Sequence, residues 1–368
     1  MRFTSYFLLL GLLVGPLVGC NNTNRSNPQD GSPSADLPSF SLAWSEYPSW
    51  SVFGVADENG IIDKDEGKLG RVEEKWGVDI VLKEADYDTC LTFFGTSTVD
   101  AVCMTNMDSL APSLGRNLVA ILPTSTSDGA DACIAVGVED VDQLAGKTSY
   151  GLELSVSQYM FERNLEILGK DVSDFPFKNM DPGAAANAMQ TGQEKIESIV
   201  VWNPFVLDTL RKRDGSKVVF DSTSIPEEII DMVVVGKDSL NKEGGESFAC
   251  AVIDAFFQVN RLLADQDHRD DTLVALGAKF SNLPLEDMET VVQQTRFYSS
   301  PKDALALFAS DSFANEIMPK VVDFCVEHAI VESEPSIGFG DAEAQFNFDG
   351  TYIIKMQDRR EADLKGGG

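Results

Sequence analysis

Short apolar runs alternate with stretches of helical spacing along most of this chain. Residues 40–44 read as a first strand. Residues 49–60 carry apolar side chains at helical intervals (Trp50, Phe53, Val55, Ala56) and stop at Gly60. A charged, amphipathic segment spans 64–75, and 78–82 is a second strand. Asp88 can cap a helix that runs through Phe94 and ends at Gly95. Strand-like runs follow at 99–104, 118–122, 132–136 and 147–151. Ser155 with Gln158 three residues on is a capping-box signature, predicting a helix to Leu168 with Gly169 behind it. A helix at 182–190, ended by Gly192, precedes strands at 198–202, 217–220 and 232–235. From there to about Val331 the spacing is helical, over 246–264, 270–278, 285–294, 301–309 and 313–329. Strands separated by helices predict βαβ units and mainly parallel sheets, hence an α/β fold. The tail from Glu332 shows one short apolar run, 351–354, and no solenoid repeat is present.

The first twenty residues follow another pattern. Arg2 is followed by an apolar run from Phe7 to Val18, and Leu17-Val18-Gly19-Cys20 closes it. A positive start, an apolar stretch of this length and a small-residue cleavage site make an export signal, too short to span a bilayer. Residues 21–38 are Asn, Ser, Pro, Asp and Gly with almost no apolar side chains, a composition that stays flexible. Eighteen such residues reach roughly 20 to 25 Å on average.

Roughly 320 residues remain for the folded region, enough for two ordinary domains. Hydrophobic residues make up 43% of the chain, as a packed core requires, and 59 acids against 29 bases give a net charge of -30. So acidic a surface argues against nucleic acid or anionic lipid partners, which need an excess of Lys and Arg. Cys90, Cys103, Cys133, Cys250 and Cys325 are odd in number and widely spaced, neither a disulfide framework nor a zinc pattern. One disulfide among them stays open; Cys103 and Cys133 lie in apolar runs and read as small core residues.

The cysteine directly after Gly19 resembles the lipobox of bacterial lipoproteins, which implies cleavage before Cys20, its acylation and a durable membrane anchor. Asn21 and Asn22 leave the choice of membrane open. Four further stretches, in order, resemble the solute-binding proteins of ABC importers, in the nitrate, sulfonate, taurine and thiamine-precursor branch. Trp44-Ser-Glu-Tyr-Pro-Ser-Trp50 occupies that family's first ligand loop. Val99-Asp-Ala-Val-Cys-Met-Thr-Asn106 stands where it has G-x-x-D-A and a second loop. Val141-Asp-Gln-Leu-Ala-Gly-Lys147 is similar to its v-x-D-L-x-G-K segment, with Gln143 for the usual Asp and Ala145 for the usual Lys. Ile199-Val-Val-Trp-Asn-Pro204 matches its w-x-P loop. The resemblance covers about 39–330. It implies the periplasmic binding protein type II architecture: one lobe from 39–136 plus 224–331, a second from 137–223, and 332–368 as a C-terminal extension. It also implies a ligand cleft between the lobes that traps cargo by hinge closure for a permease and its ATPase, in a monomer without cofactor or metal.

Five loops follow strands and can face such a cleft. Trp44, Ser45, Glu46 and Tyr47 place a carboxylate among aromatic rings, which suits a cation; Trp44 and Trp50 read equally well as core. Thr105 and Asn106, with Asp108, can meet ligand or cap a helix. Ser127 and Asp128, with Asp131, suit a ligand loop or a plain polar turn. Ser155, Ser157 and Gln158 form either a helix cap or an anion site at free amides. Trp202 and Asn203 take their role from the resemblance. These loops hold Glu46, Asp108, Asp128 and Asp131 but no Lys or Arg. The expected cargo is therefore a small organic molecule with an amino or other cationic group, including a zwitterion with its acid end at Ser155 and Ser157; sulfonates and pyrimidine-like compounds are the family's alternatives. A pyrimidine-synthase-like enzyme of the same fold would need a histidine and clustered cysteines near the cleft. Only His268 and His328 exist, both in the helical return segment, and no G-x-S-x-G is present. A tethered sensor without an importer is the other alternative.

Overall fold

A computed structural model of the protein describes residues 37–192 and 195–366. The export signal, Cys20 and the linker before residue 37 lie outside the described residues. Among the described residues the β-branched and apolar runs form thirteen strands. They are β1 Ser39–Trp44, β2 Asp79–Glu84, β3 Ala101–Thr105, β4 Leu118–Ser127, β5 Asp131–Val136, β6 Ser149–Gly151 and β7 Phe177–Asn179. After these come β8 Ser198–Trp202, β9 Ser216–Asp221, β10 Ile230–Gly236, β11 Thr295–Phe297, β12 Ile337–Phe339 and β13 Phe346–Phe348.

Two sheets result, and with their helices they form two lobes. The larger has the order β12-β13-β4-β10-β3-β1-β2, with β11 also on β4; the smaller has the order β7-β6-β8-β5-β9. Both are mixed rather than mainly parallel. β1 runs parallel to β2 and β3, but β10 is antiparallel to β3 and β4, and β5 is antiparallel to β8 and β9. The reason is connectivity. The chain leaves the larger sheet at the end of β4 and re-enters it at the start of β10, so β10 must run back from the same edge. Alternating apolar runs predict strands but not their direction.

The two sheets are joined by two short crossings, after β4 and before β10. Ser127 and Ser222 share a hydroxyl hydrogen bond of 2.7 Å there, and the Gly129 amide donates to Ser222 Oγ at 2.8 Å. Gly129 has φ +96°, a left-handed conformation that favours glycine.

The core of the larger lobe forms around the Gly245–Ala264 helix, whose Phe248, Phe256 and Phe257 are buried. Phe40 stacks on Phe248 with ring centroids 4.7 Å apart. Each such ring contributes about 1.5–3 kcal/mol by leaving water.

Several local readings change. The helix expected from Asp88 is Tyr87–Gly95 and is capped by Asp86, whose extended backbone lets its side chain accept from the Thr89 amide at 2.9 Å. Only Arg71–Trp76 of the charged segment is helical. The loop before it is held by buried Glu73, which accepts from the amides of Asp63, Gly70 and Ile80 at 2.6–2.7 Å.

The tail completes the larger sheet: β13 pairs parallel to β4, with Phe346 opposite Leu118 and Phe348 opposite Ala120. The short run at 351–354 begins the Thr351–Gly366 helix, which buries Ile353 and Met356. Its Tyr352 carbonyl accepts from the Cys250 thiol on the Gly245–Ala264 helix. All five cysteines after Cys20 are buried and unpaired, and burial pushes the Cys133 thiol up to about 12.

Candidate functional site

The edge of each sheet that faces the other is built from strand ends. In the larger sheet β1, β3 and β4 end there and β10 begins; in the smaller one β6 and β8 end there and β5 begins. Open α/β sheets place ligand sites outside the carboxyl ends of strands. Between the two edges lies a cavity of about 300 Å³.

Its wall takes Ser45, Glu46, Tyr47 and Trp50 from the loop after β1, and Tyr87, Asp88 and Leu91 from the helix after β2. Thr105 and Asp108 follow β3, Asp131 opens β5, and Leu152 to Val156 follow β6. Trp202 ends β8, and Ile229 and Asp231 come from the second crossing and β10. Among the described residues, no Lys, Arg or His lines it.

Three of its carboxylates are withdrawn from solvent, Asp131 and Asp231 fully and Asp108 in part. Asp108 Oδ2 accepts from the Tyr87 hydroxyl at 2.7 Å and from Thr105 Oγ1 at 2.6 Å. Asp131 Oδ2 accepts from Ser127 Oγ at 2.6 Å. Asp231 lies opposite both Thr105 and Ser125 in the sheet, and its Oδ2 accepts from Ser125 Oγ at 2.6 Å. Burial raises all three above the ordinary carboxylate range, and the hydroxyl donors only partly oppose it. Asp131 reaches about 6. Asp231 is raised well above its ordinary value by burial, with Asp131 as a like charge nearby. Burial beside Asp231 and Asp131 likewise raises the Tyr47 hydroxyl.

The aromatic side chains pack together. Trp50 stacks on Tyr87 with centroids 5.3 Å apart, and Tyr47 lies 4.7 Å from Trp50. Such a wall, acidic and aromatic without a base, can hold a cation by ion pairing and through the ring faces.

Of the residues singled out in the sequence, Ser45, Glu46, Tyr47, Trp50, Thr105, Asp108, Asp131, Ser155 and Trp202 line this cavity. The others lie elsewhere. Trp44 is in the core, over Gly54, where a Cβ would come within 2.8 Å of the indole. Asn106 donates to the Glu228 carbonyl and accepts from the Ile230 amide, so it pins the second crossing. Ser127 belongs to the crossings, and Asp128 is exposed, its amide donating to the Gln294 carbonyl. Asn203 donates to Gln294 Oε1 at 2.7 Å, linking the smaller lobe to the return helices of the larger.

At the start of the Val156–Ile167 helix, Ser155 Oγ accepts from the Ser157 amide. Gln158 Oε1 accepts from the Leu154 amide, one residue earlier than a capping box requires. Two amide donors that an anion would need are thereby occupied, and Glu153 beside them adds negative charge. Ser157 and Gln158 are buried behind this turn.

Tyr87, Leu91, Glu153 and Asp231 were not singled out in the sequence. Asp231 left a signal: one carboxylate inside the apolar run Ile229 to Val235. Tyr87 left none, because its role depends on how the helix after β2 sits against β3.

Beside the cavity a buried ion pair crosses between lobes. Glu228, on the second crossing, accepts from Arg163 Nε at 2.9 Å and from the Tyr159 hydroxyl at 2.6 Å, both on the Val156–Ile167 helix. Burial would raise Glu228, but Arg163, Tyr159 and Lys320 outweigh it and hold the carboxyl low. Glu228→Ala leaves the Tyr159 hydroxyl without its acceptor and Arg163 with Glu166 alone, and is expected to cost about 2 kcal/mol of stability, measured by urea unfolding. A loss below about 0.5 kcal/mol would show the pair to be inert. His328 touches Glu162 on the same helix and His268 pairs with Asp265; neither reaches the cavity.

No family profile and no curated protein matches the sequence. The fold has solved counterparts. The periplasmic aliphatic sulphonate binding protein SsuA from Escherichia coli superposes with a TM-score of 0.64 at 16% identity, covering 81% of this chain and 90% of that one. The periplasmic sulfonate-binding protein SsuA from Methylobacillus flagellatus KT gives 0.67 at 14% identity, covering 89% and 96%. The alkanesulfonate-binding protein SsuA from Xanthomonas axonopodis pv. citri, bound to MOPS, gives 0.61 at 15% identity, covering 82% and 96%. The chain therefore has the two-lobed fold of periplasmic binding proteins.

Proposed function

We propose that the protein is the membrane-anchored solute-binding component of an ABC importer, and that its cargo is a small organic cation. The observation that carries the ligand reading is the cavity wall: Glu46, Asp88, Asp108, Asp131, Glu153 and Asp231 line it with four aromatic rings and no basic side chain. A sulfonate is an anion and would meet uncompensated carboxylates there. Repulsion between like charges in a desolvated site costs several kcal/mol, so the sign of the wall selects against it.

The fold shared with periplasmic binding proteins supports capture by lobe closure and delivery to a permease with its ATPase. The crossings at Ser127 and Ser222 are the two points about which the lobes would turn. The export signal and the cysteine after Gly19 support an exported chain held by a lipid on Cys20.

Calorimetric titration of the purified protein with amines, quaternary ammonium compounds, sulfonates, pyrimidines and nitrate tests the ligand reading. Binding of cations alone is expected; tight sulfonate or nitrate binding without amine binding would overturn it. Importer function predicts loss of ligand uptake on deleting the gene. Mass spectrometry of the membrane-extracted chain should show acyl groups at its N-terminus, absent from Cys20→Ala.

A further inference from the structure

The carboxylates of the cavity fall into two sets by exposure. Asp108, Asp131 and Asp231 form the inner set: Asp131 and Asp231 keep only 3% and 1% of their surface exposed and lie at the crossings, and Asp108 is half-buried; this set is called the floor. Glu46, Asp88 and Glu153 are exposed and form a rim, the first two on the larger lobe and the third on the smaller. The same wall carries Tyr47, Trp50, Tyr87 and Trp202, with Leu91 and Leu154 contributed by opposite lobes. Leu154, in the cavity wall, is 52% exposed and holds a left-handed φ of 57°. Its exposed side chain leaves apolar surface in the wall that a methylene chain can cover.

The floor also shows an unfilled valence. Asp131 Oδ2 takes the Ser127 hydroxyl, while no donor among the described residues reaches its Oδ1. Asp108 likewise receives both of its donors on Oδ2. Each therefore keeps one carboxylate oxygen free to accept from a donor in the cavity, as a ligand ammonium would be.

We infer that the ligand carries at least two positive centres joined by an apolar chain, as a linear diamine or polyamine does, with one ammonium on the floor and another at the rim. This rests on the cationic reading of the cleft and narrows it. A compact monocation would meet either the floor or the rim and leave the other set unmatched. A chain of methylenes between two ammonium groups can pair with a buried and an exposed carboxylate while its apolar part lies against the aromatic and leucine side chains of the wall. A cavity of about 300 Å³ lies at the small end of ligand sites and admits such a chain.

The test is titration of the full-length protein with linear diaminoalkanes of four to six carbons, with monoamines of equal length, with tetramethylammonium and with an alkanesulfonate. The diamine is expected to bind about 100-fold or more tighter than its monoamine, since a second ion pair in a partly desolvated site is gained. Asp108→Asn, which keeps an acceptor for Tyr87 and Thr105, should weaken diamine binding more than monoamine binding. Its folding is checked by its unfolding midpoint. Monoamine or tetramethylammonium affinity within a few-fold of the diamine would overturn the two-centre inference and leave the cationic reading standing. Binding of the sulfonate alone would overturn both.

Discussion

Asp231→Asn is expected to weaken binding of a cationic ligand by about 2 kcal/mol or more, roughly 30-fold, while raising the unfolding midpoint of the ligand-free protein. The two effects share one cause. Asp231 is 1% exposed, has no cation from its own chain among the described residues, and sits near Asp131 and Asp108. Its charged form is therefore disfavoured until a ligand supplies the counter-charge. Asparagine keeps an acceptor for Ser125 Oγ and the shape of the side chain but removes the charge. Stability at such positions is commonly given up for function. Titration calorimetry and thermal unfolding of both forms check it. A variant that binds amines as the parent does, or that loses stability without ligand, would show that Asp231 serves the fold and not the cargo.

Acidification supplies the second large effect. Burial raises Asp131 from an ordinary value of 3.8 to about 6, and raises Asp108 and Asp231 in the same direction. In the ligand-free protein an acid of this kind holds its proton better folded than unfolded. Its contribution to stability is fully present below about 4 and is lost as pH rises through about 6. A bound cation reverses the preference, since it pairs with the carboxylate. Affinity should therefore rise with pH. Between pH 5 and pH 7 the release of one proton from Asp131 strengthens binding about tenfold, and further protons from Asp108 or Asp231 add to it. Titrations at the two pH values, in buffers of different ionisation heat, measure both the slope and the number of protons released. Equal affinity at both, or tighter binding at pH 5, would remove the floor acids from the site.

The sequence predicted strands and helices well where the spacing was long and regular. The Gly245–Ala264 helix and β8 stand within a residue of their expected bounds. Of the five three-residue strands it found only β6 and missed β7, β11, β12 and β13, because pattern needs length to show. Phe346 and Phe348 alternate as a strand should, yet only their pairing with Leu118 and Ala120 explains them. At the cleft, the acidic and aromatic character was visible in Glu46, Tyr47 and Trp202. The assembly of the floor was not. Asp231 meets Asp131 because two crossings return the chain to the same edge, and no local signal encodes that return. Capping residues misled for a related reason: Ser155 and Gln158 do bond to amides, but their own turn uses those bonds.

The placement of β13 bears on the order in which the protein can be assembled. The smaller sheet uses one continuous stretch, from Asp131 to Asp221, and so can close as soon as that stretch is free. The larger sheet begins with β1 at Ser39 but receives β13 only when Phe348 has been made. At roughly 10 residues per second, its first strand waits on the order of 30 seconds for its last partner. During that interval β4 presents an open, apolar edge. Nascent chains of this protein should therefore hold a folded smaller lobe beside an unfinished larger one, which is the state most exposed to chaperones during synthesis.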